Sequence, residues 1–327
     1  MPEGRPPRYF TLTPEQLAGY EVEENTLRPD KKEPLDKKLP VEIKESVVAL
    51  RQALADRAAE FGLTPPKFDL PPLPPDFSTE HLAVFEKFLG AHLEVSTVPE
   101  VENWDEYFRM MYPEGKRPND EQKGLVSYLP DWWKKVANTN IVGGPEKWGT
   151  SFIRSIKIDA EASKGQLFLT EAIQKPNYTN GKQQYGTKEG ADDTQDYLLP
   201  IICEVLGDGK NRFSNNWDQV NLVAAKVKEK IVAELTAKRL FVPDFDVKIT
   251  PAIISNLEMS LRHPENSTTT TSEWCSTPLL KQDNADSGYR LFVGRSGSGG
   301  AGCVRYAGRG SAWLNGGFRL SVVLKNT

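Results

Sequence analysis

Tyr289-Arg290-Leu291-Phe292-Val293, Gly294-Arg295-Ser296-Gly297-Ser298-Gly299-Gly300-Ala301-Gly302-Cys303-Val304-Arg305-Tyr306-Ala307-Gly308-Arg309-Gly310 and Gly317-Phe318-Arg319-Leu320-Ser321-Val322-Val323-Leu324 lie close together near the end of the chain. The first and third runs are apolar and read as strands. Nine of the twenty-five glycines fall between 294 and 317, so side chains contribute little to ordering that segment. Glycine loses the most backbone freedom on folding, and the flanking strands must therefore clamp it. A glycine-rich segment held between strands predicts a surface where function, rather than packing, sets the choice of side chain.

Working outward, the 327 residues suffice for one large domain or two ordinary ones with a sizeable core. The net charge of −4 and pI near 5.7 provide no basic field for nucleic acid or anionic lipid. No apolar stretch reaches the roughly 18–20 residues of a membrane span. Residues 1–8 lack the apolar core of a secretory signal, so synthesis in the cytoplasm without export is expected.

Residues 1–94 read as a proline-bearing, mainly helical and irregular region, and 95–327 as the principal domain. A helix is expected over Glu45–Phe61, followed by a stiff connector through Pro65-Pro66 and Pro71–Pro75. A second helix is expected from an N-cap at Ser78 through His92. This region either mounts or oligomerises the rest, or wraps it as an arm. Farther on, alternation predicts a strand over Ser151–Ala160 paired in a hairpin with Gln166–Ile173. The polar stretch Asn177–Asp193 reads as a loop, Asp196–Val205 and Gln219–Leu240 as helices, and Val247–Leu261 as one or two strands. Together the elements indicate an α+β fold with two helices, short strands and long irregular loops.

Several chemistries are argued against by spacing. Gly297–Gly302 fits G-x-G-x-x-G, but no helix N-terminus follows to receive a pyrophosphate. Cys203, Cys275 and Cys303, with His81, His92 and His263, form no short-spaced ligand pairs for zinc and no supported thiol nucleophile. Glu265, Asp283 and Asp286 follow no calcium-loop spacing. The aromatic residues of 104–148 read as packing rather than a ligand platform. No cofactor and no metal are expected.

An ordered series remains: Thr271–Cys275, Tyr289–Gly294, Val304–Arg309 and Gly317–Leu320. It resembles the C-terminal half of the C-type lectin fold in its formylglycine-generating-enzyme form, and within that the variable proteins of diversity-generating retroelements. The resemblance covers about 271–324. It implies framework places at Gly294, Ser296, Ala301, Val304, Arg305, Ala307, Arg309, Gly317, Phe318 and Arg319. It implies exchangeable, ligand-contacting places at Gly297, Ser298, Gly299, Gly300, Gly302, Cys303, Tyr306, Gly308, Gly310, Ser311, Trp313 and Asn315. Val304, Ala307, Phe318 and Leu320 should then pack inward, and Arg305 and Arg309 should satisfy buried acceptors. Tyr306 and Trp313 should be the binding anchors.

The resemblance further implies a non-catalytic display protein recognising a macromolecular, chiefly protein, target. It would be carried on a phage tail or a surface scaffold through the N-terminal region, without nucleic acid or membrane insertion. The alternatives are a sulfatase-modifying oxidoreductase of the formylglycine-generating type, whose closely spaced cysteines this chain lacks, and a structural scaffold.

Overall fold

The computed structural model describes residues 40–74, 76–90, 93–111, 126–127, 145–172, 196–263, 271–281, 283–294, 303–314 and 316–325. Helix α1 (Val41–Glu60) buries Ile43, Val47, Leu50, Leu54 and Ala58, a three-to-four-residue spacing that lines one face. Helix α2 (Thr79–Leu89) starts at Ser78, whose backbone N–H donates to His81 Nδ1 at 3.2 Å. It stops at Gly90, where φ is +147° and an added Cβ would lie 3.0 Å from Glu171 Cγ. Strand β1 (Leu93–Ser96) follows directly, so the expected helix through His92 is shorter by a turn. His92 itself lies outside the described residues.

After α3 (Trp104–Met111) and the short β2 (Val126–Ser127) comes α4 (Pro145–Ala162). This corrects the strand expected over Ser151–Ala160. Ile156 and Ala160 are buried four residues apart, while Ile158, which alternation would place inward, is exposed. The helical period wins. Strand β3 (Leu167–Glu171) is present, but it pairs with β1 and β9 rather than forming a hairpin with the preceding segment.

Helices α5 (Leu199–Leu206) and α6 (Trp217–Ala237) and strand β4 (Phe245–Ile249) then lead to α7 (Ala252–Leu257). Helix α7 continues into a π-helical turn, Glu258–Arg262. Only the first part of Val247–Leu261 is therefore a strand. All six residues of α7 are buried, and a segment buried all round carries no alternation by which to distinguish helix from strand. The loop expected over Asn177–Asp193 lies outside the described residues. Strands β5 (Ser272–Leu280), β6 (Asp286–Gly294), β7 (Cys303–Gly308), β8 (Gly316–Phe318) and β9 (Leu320–Leu324) complete the chain.

The fold is α+β, and the described residues form two sheets. One is antiparallel in the order β1-β3-β9-β4; the other runs β2-β7-β6-β5-β8, with only β5–β8 parallel. Arg319 links the two, since it separates β8 in one sheet from β9 in the other. A single continuous apolar core runs from Ile43 of α1 to Leu324 of β9. Helices α1 and α2 thus share the core of the main body. Among the described residues no helix is long and apolar enough to cross a membrane.

Candidate functional site

The glycine-flanked C-terminal segment is built on an aromatic column. Trp274 of β5 is buried, with its indole N–H donating to Asn215 O at 3.1 Å. Its ring lies 5.9 Å from that of Trp217 and 3.9 Å from that of Phe292 of β6, centroid to centroid. Trp313 stacks on Phe292, with centroids 5.2 Å apart and planes at 16°. The Arg290 guanidinium sits 5.0 Å from the Trp217 ring and pairs with Asp286 at 2.9 Å.

The turn after β7 is fastened to this column by its main chain. Trp217 N donates to Arg309 O (3.0 Å), Ser214 N to Trp313 O (3.2 Å) and Arg309 N to Gly288 O (3.3 Å). Within the turn, Ser311 N donates to Gly308 O and Gly316 N to Trp313 O, both at 2.9 Å. Backbone bonds do not depend on side-chain identity, so outward side chains can differ without releasing the turn.

Of the expected contact residues, Gly297, Ser298, Gly299, Gly300, Gly302 and Asn315 lie outside the described residues. Cys303 and Tyr306 stand on β7 opposite Ser127 and Leu291. Gly308 is half-buried opposite Tyr289, Gly310 is exposed, and Ser311 is half-buried. Trp313 is half-buried against Phe292, so its ring is partly a lid on the core. The exposed members of the turn are Arg309, Gly310, Ala312 and Leu314, the last 82% exposed. Leu314 and the exposed Tyr289 on the neighbouring strand escape the sequence reading. A residue's side in a turn follows its hydrogen bonds, not its parity.

The expected inward packing is met at Ala307, Phe318 and Leu320, all buried, while the side chains of Val304 and Arg305 lie outside the described residues. The buried acceptor expected for Arg309 is not found: its side chain is exposed and pairs with the exposed Asp218 at 2.7 Å. The buried acids are served by Arg319 and Arg212 instead. Arg319 reaches Glu273 Oε1 at 3.1 Å and Glu171 O at 3.3 Å. Arg212 forks onto Glu171 at 2.6 and 2.7 Å, holds Asp196 at 2.7 Å, and donates to Phe318 O at 3.4 Å. Burial pushes the Glu171 carboxyl up, against the pull of Arg212.

Cys275 is fully buried, and burial pushes its thiol up, which disfavours the thiolate. Cys203 is half-buried, its thiol directed to Lys210 O at 3.4 Å. A second polar grouping contains no cysteine: Glu94 of β1 with Glu258 and His263 at the π-helical turn, their ligand-type atoms all within 4.8 Å of one another. No sequence spacing joins residue 94 to 258 and 263; only the fold does. No family model, curated protein or solved structure matches this chain.

Proposed function

We propose that the chain is a non-catalytic, ligand-binding display protein whose C-terminal turn and the strands beside it recognise a macromolecular target. The observation that carries this reading is the division of labour around residues 308–316. Main-chain bonds to Ser214, Trp217 and Gly288 hold the turn, two of them made by the backbone of the exposed Arg309, so the hold does not depend on which side chain stands outward. The residues beneath, Ala307, Phe318 and Leu320, are interior. Such a division suits a surface whose side chains are exchanged while the fold stays fixed. A C-type lectin fold diversified by a retroelement belongs to the same proposal, resting on the sequence resemblance over 271–324. The exposed Leu314 and Tyr289 give the turn apolar contact area suited to a protein partner.

Deep sequencing of this gene across many isolates tests the reading. Substitutions should concentrate in codons 297–315, at adenines of a template copy beside a reverse-transcriptase gene, and spare the codons of Ala307 and Phe318. Substitutions spread evenly along the gene, or equally frequent at interior codons, would overturn it.

A further inference from the structure

We infer that Glu94, Glu258 and His263 form a binding site for a single divalent transition-metal ion of the zinc class, remote in sequence from the display surface. The reason lies first in the backbone. In an α-helix, residues five apart point about 140° away from each other. Here the helix widens to a π-turn over Glu258–Arg262, and His263 N donates to Glu258 O at 2.8 Å. That i to i+5 bond brings Glu258 and His263 round to the same side, and Glu94 of β1 faces them. π-Turns are uncommon and recur at functional sites.

The geometry is near that of a ligand set. His263 Nε2 is 2.9 Å from Glu94 Oε2, and all three ligand atoms lie within 4.8 Å. Oxygen and nitrogen ligands about 2 Å from zinc stand about 3–3.5 Å apart, so closure requires movement of about 1 Å. Glu258 is fully buried, and Glu94 and His263 form the side partly open to solvent, through which an ion and water can enter.

Two carboxyl groups and an imidazole meet the Arg262 guanidinium, which lies 3.2 Å from Glu258 and 3.6 Å from Glu94. Arg262 is not free to do more, because its other terminal nitrogen is held by Ser46 O at 2.8 Å and Val95 O at 2.7 Å. It stays as a supporting neighbour, while Ser96 Oγ donates to Glu258 and orients it. A divalent ion bonded to both carboxyl groups attracts them more strongly than does the guanidinium that contacts them at 3.2 and 3.6 Å. An imidazole in the set selects zinc-class ions over magnesium.

The test uses the full chain after EDTA treatment, titrated with zinc chloride by calorimetry and by equilibrium dialysis with metal analysis. One ion per chain is expected, with the melting temperature raised at saturation. Glu94→Gln, on the partly open side, should weaken zinc at least tenfold with unchanged near-UV circular dichroism in the metal-free state. His263→Ala should weaken it at least a hundredfold. Cobalt should give ligand-field bands without thiolate charge transfer, and magnesium in excess should not displace zinc. Absence of stoichiometric zinc, or zinc retained by both variants, would overturn the site. So would a cluster that takes up only a proton, seen as a pH-dependent melting temperature indifferent to zinc.

Discussion

Arg309 and Arg319 stand ten residues apart, and each is paired with a carboxylate at similar distance, 2.7 Å to Asp218 and 3.1 Å to Glu273. Their surroundings differ completely. Arg319 and Glu273 are interior, at the point where the chain passes from one sheet to the other, while Arg309 and Asp218 are both more than half exposed. A pair in water is screened and entropically costly to hold, so it contributes little. A pair removed from water has lost its hydration, and each partner depends on the other. The same chemistry therefore fixes architecture at 319 and decorates a surface at 309. Under the proposed function, a face whose side chains vary tolerates only the second kind.

The sharpest way to break this contrast is at Arg212, which serves two buried carboxylates and the Phe318 carbonyl together. Arg212→Ala should destabilise the fold by an amount at the upper end of about 3–5 kcal/mol, read by urea unfolding. A loss under 1 kcal/mol would mean that the buried network is not what the sheets depend on. Gly316→Ala probes the boundary between the two regimes. A Cβ there would meet Trp313 Cβ at 3.1 Å and Phe292 Cε1 at 3.2 Å, so the stacked pair must give way. The expected cost is about 1–3 kcal/mol, with a changed tryptophan emission reporting the shift of Trp313.

How far the sequence foretells this arrangement depends on the kind of signal. The helices at 45–61 and 219–240 are legible because each buries one face at helical spacing, whereas 289–293 and 317–324 are legible only as apolar runs, the second of which Arg319 divides into two fully buried strands of different sheets. Alternation over 151–160 misleads because Ile153, Ile156 and Ile158 fit a strand at 156 and 158 but a helical step from 153 to 156, and only the burial of Ser155 and Ile156 beside exposed Ile158 separates the two. The interior residues of the candidate surface, Ala307, Phe318 and Leu320, are legible as members of apolar runs. The arginine that serves the buried acids is not. Arg212 sits between the two expected helices, and its partners lie 16 and 41 residues away. The Glu94–Glu258–His263 grouping escapes for the same reason, compounded by a π-turn that no residue pattern announces.

A subtler test concerns pH. Asp159 of α4 accepts from Thr277 Oγ1 at 2.5 Å, and that hydroxyl in turn accepts from Ala252 N at the start of α7. Burial raises the Asp159 carboxyl above its ordinary value, against the hydroxyl bond and the charges of Lys248 and Arg290. The folded chain therefore keeps a proton at pH values where the unfolded chain has released it. The resulting stabilisation is present below the ordinary aspartate range and is lost as pH rises through the folded-state value. Asp159→Asn is neutral throughout, so its melting temperature should fall less than the wild type's as pH is raised from 4 upward. Parallel pH curves would show that the carboxyl is ionised in the fold and that Thr277 alone sets the geometry.

The smallest effect is expected at the surface pair, and its smallness is informative. Arg309→Ala removes the bond to Asp218, but the turn keeps the contacts made by its main chain, Arg309 O from Trp217 N and Arg309 N to Gly288 O. Neither needs the guanidinium. The loss should be about 1 kcal/mol or less, reduced further by raising the salt concentration, and Asp218→Ala should match it with little added cost in the double variant. If Arg309→Ala instead unfolded the turn, seen as collapse of the Trp313 emission shift and loss of several kcal/mol, the side chain would be holding the surface in place. The position would then belong with Arg319 as part of the frame, and the turn would not be a face on which side chains can be exchanged.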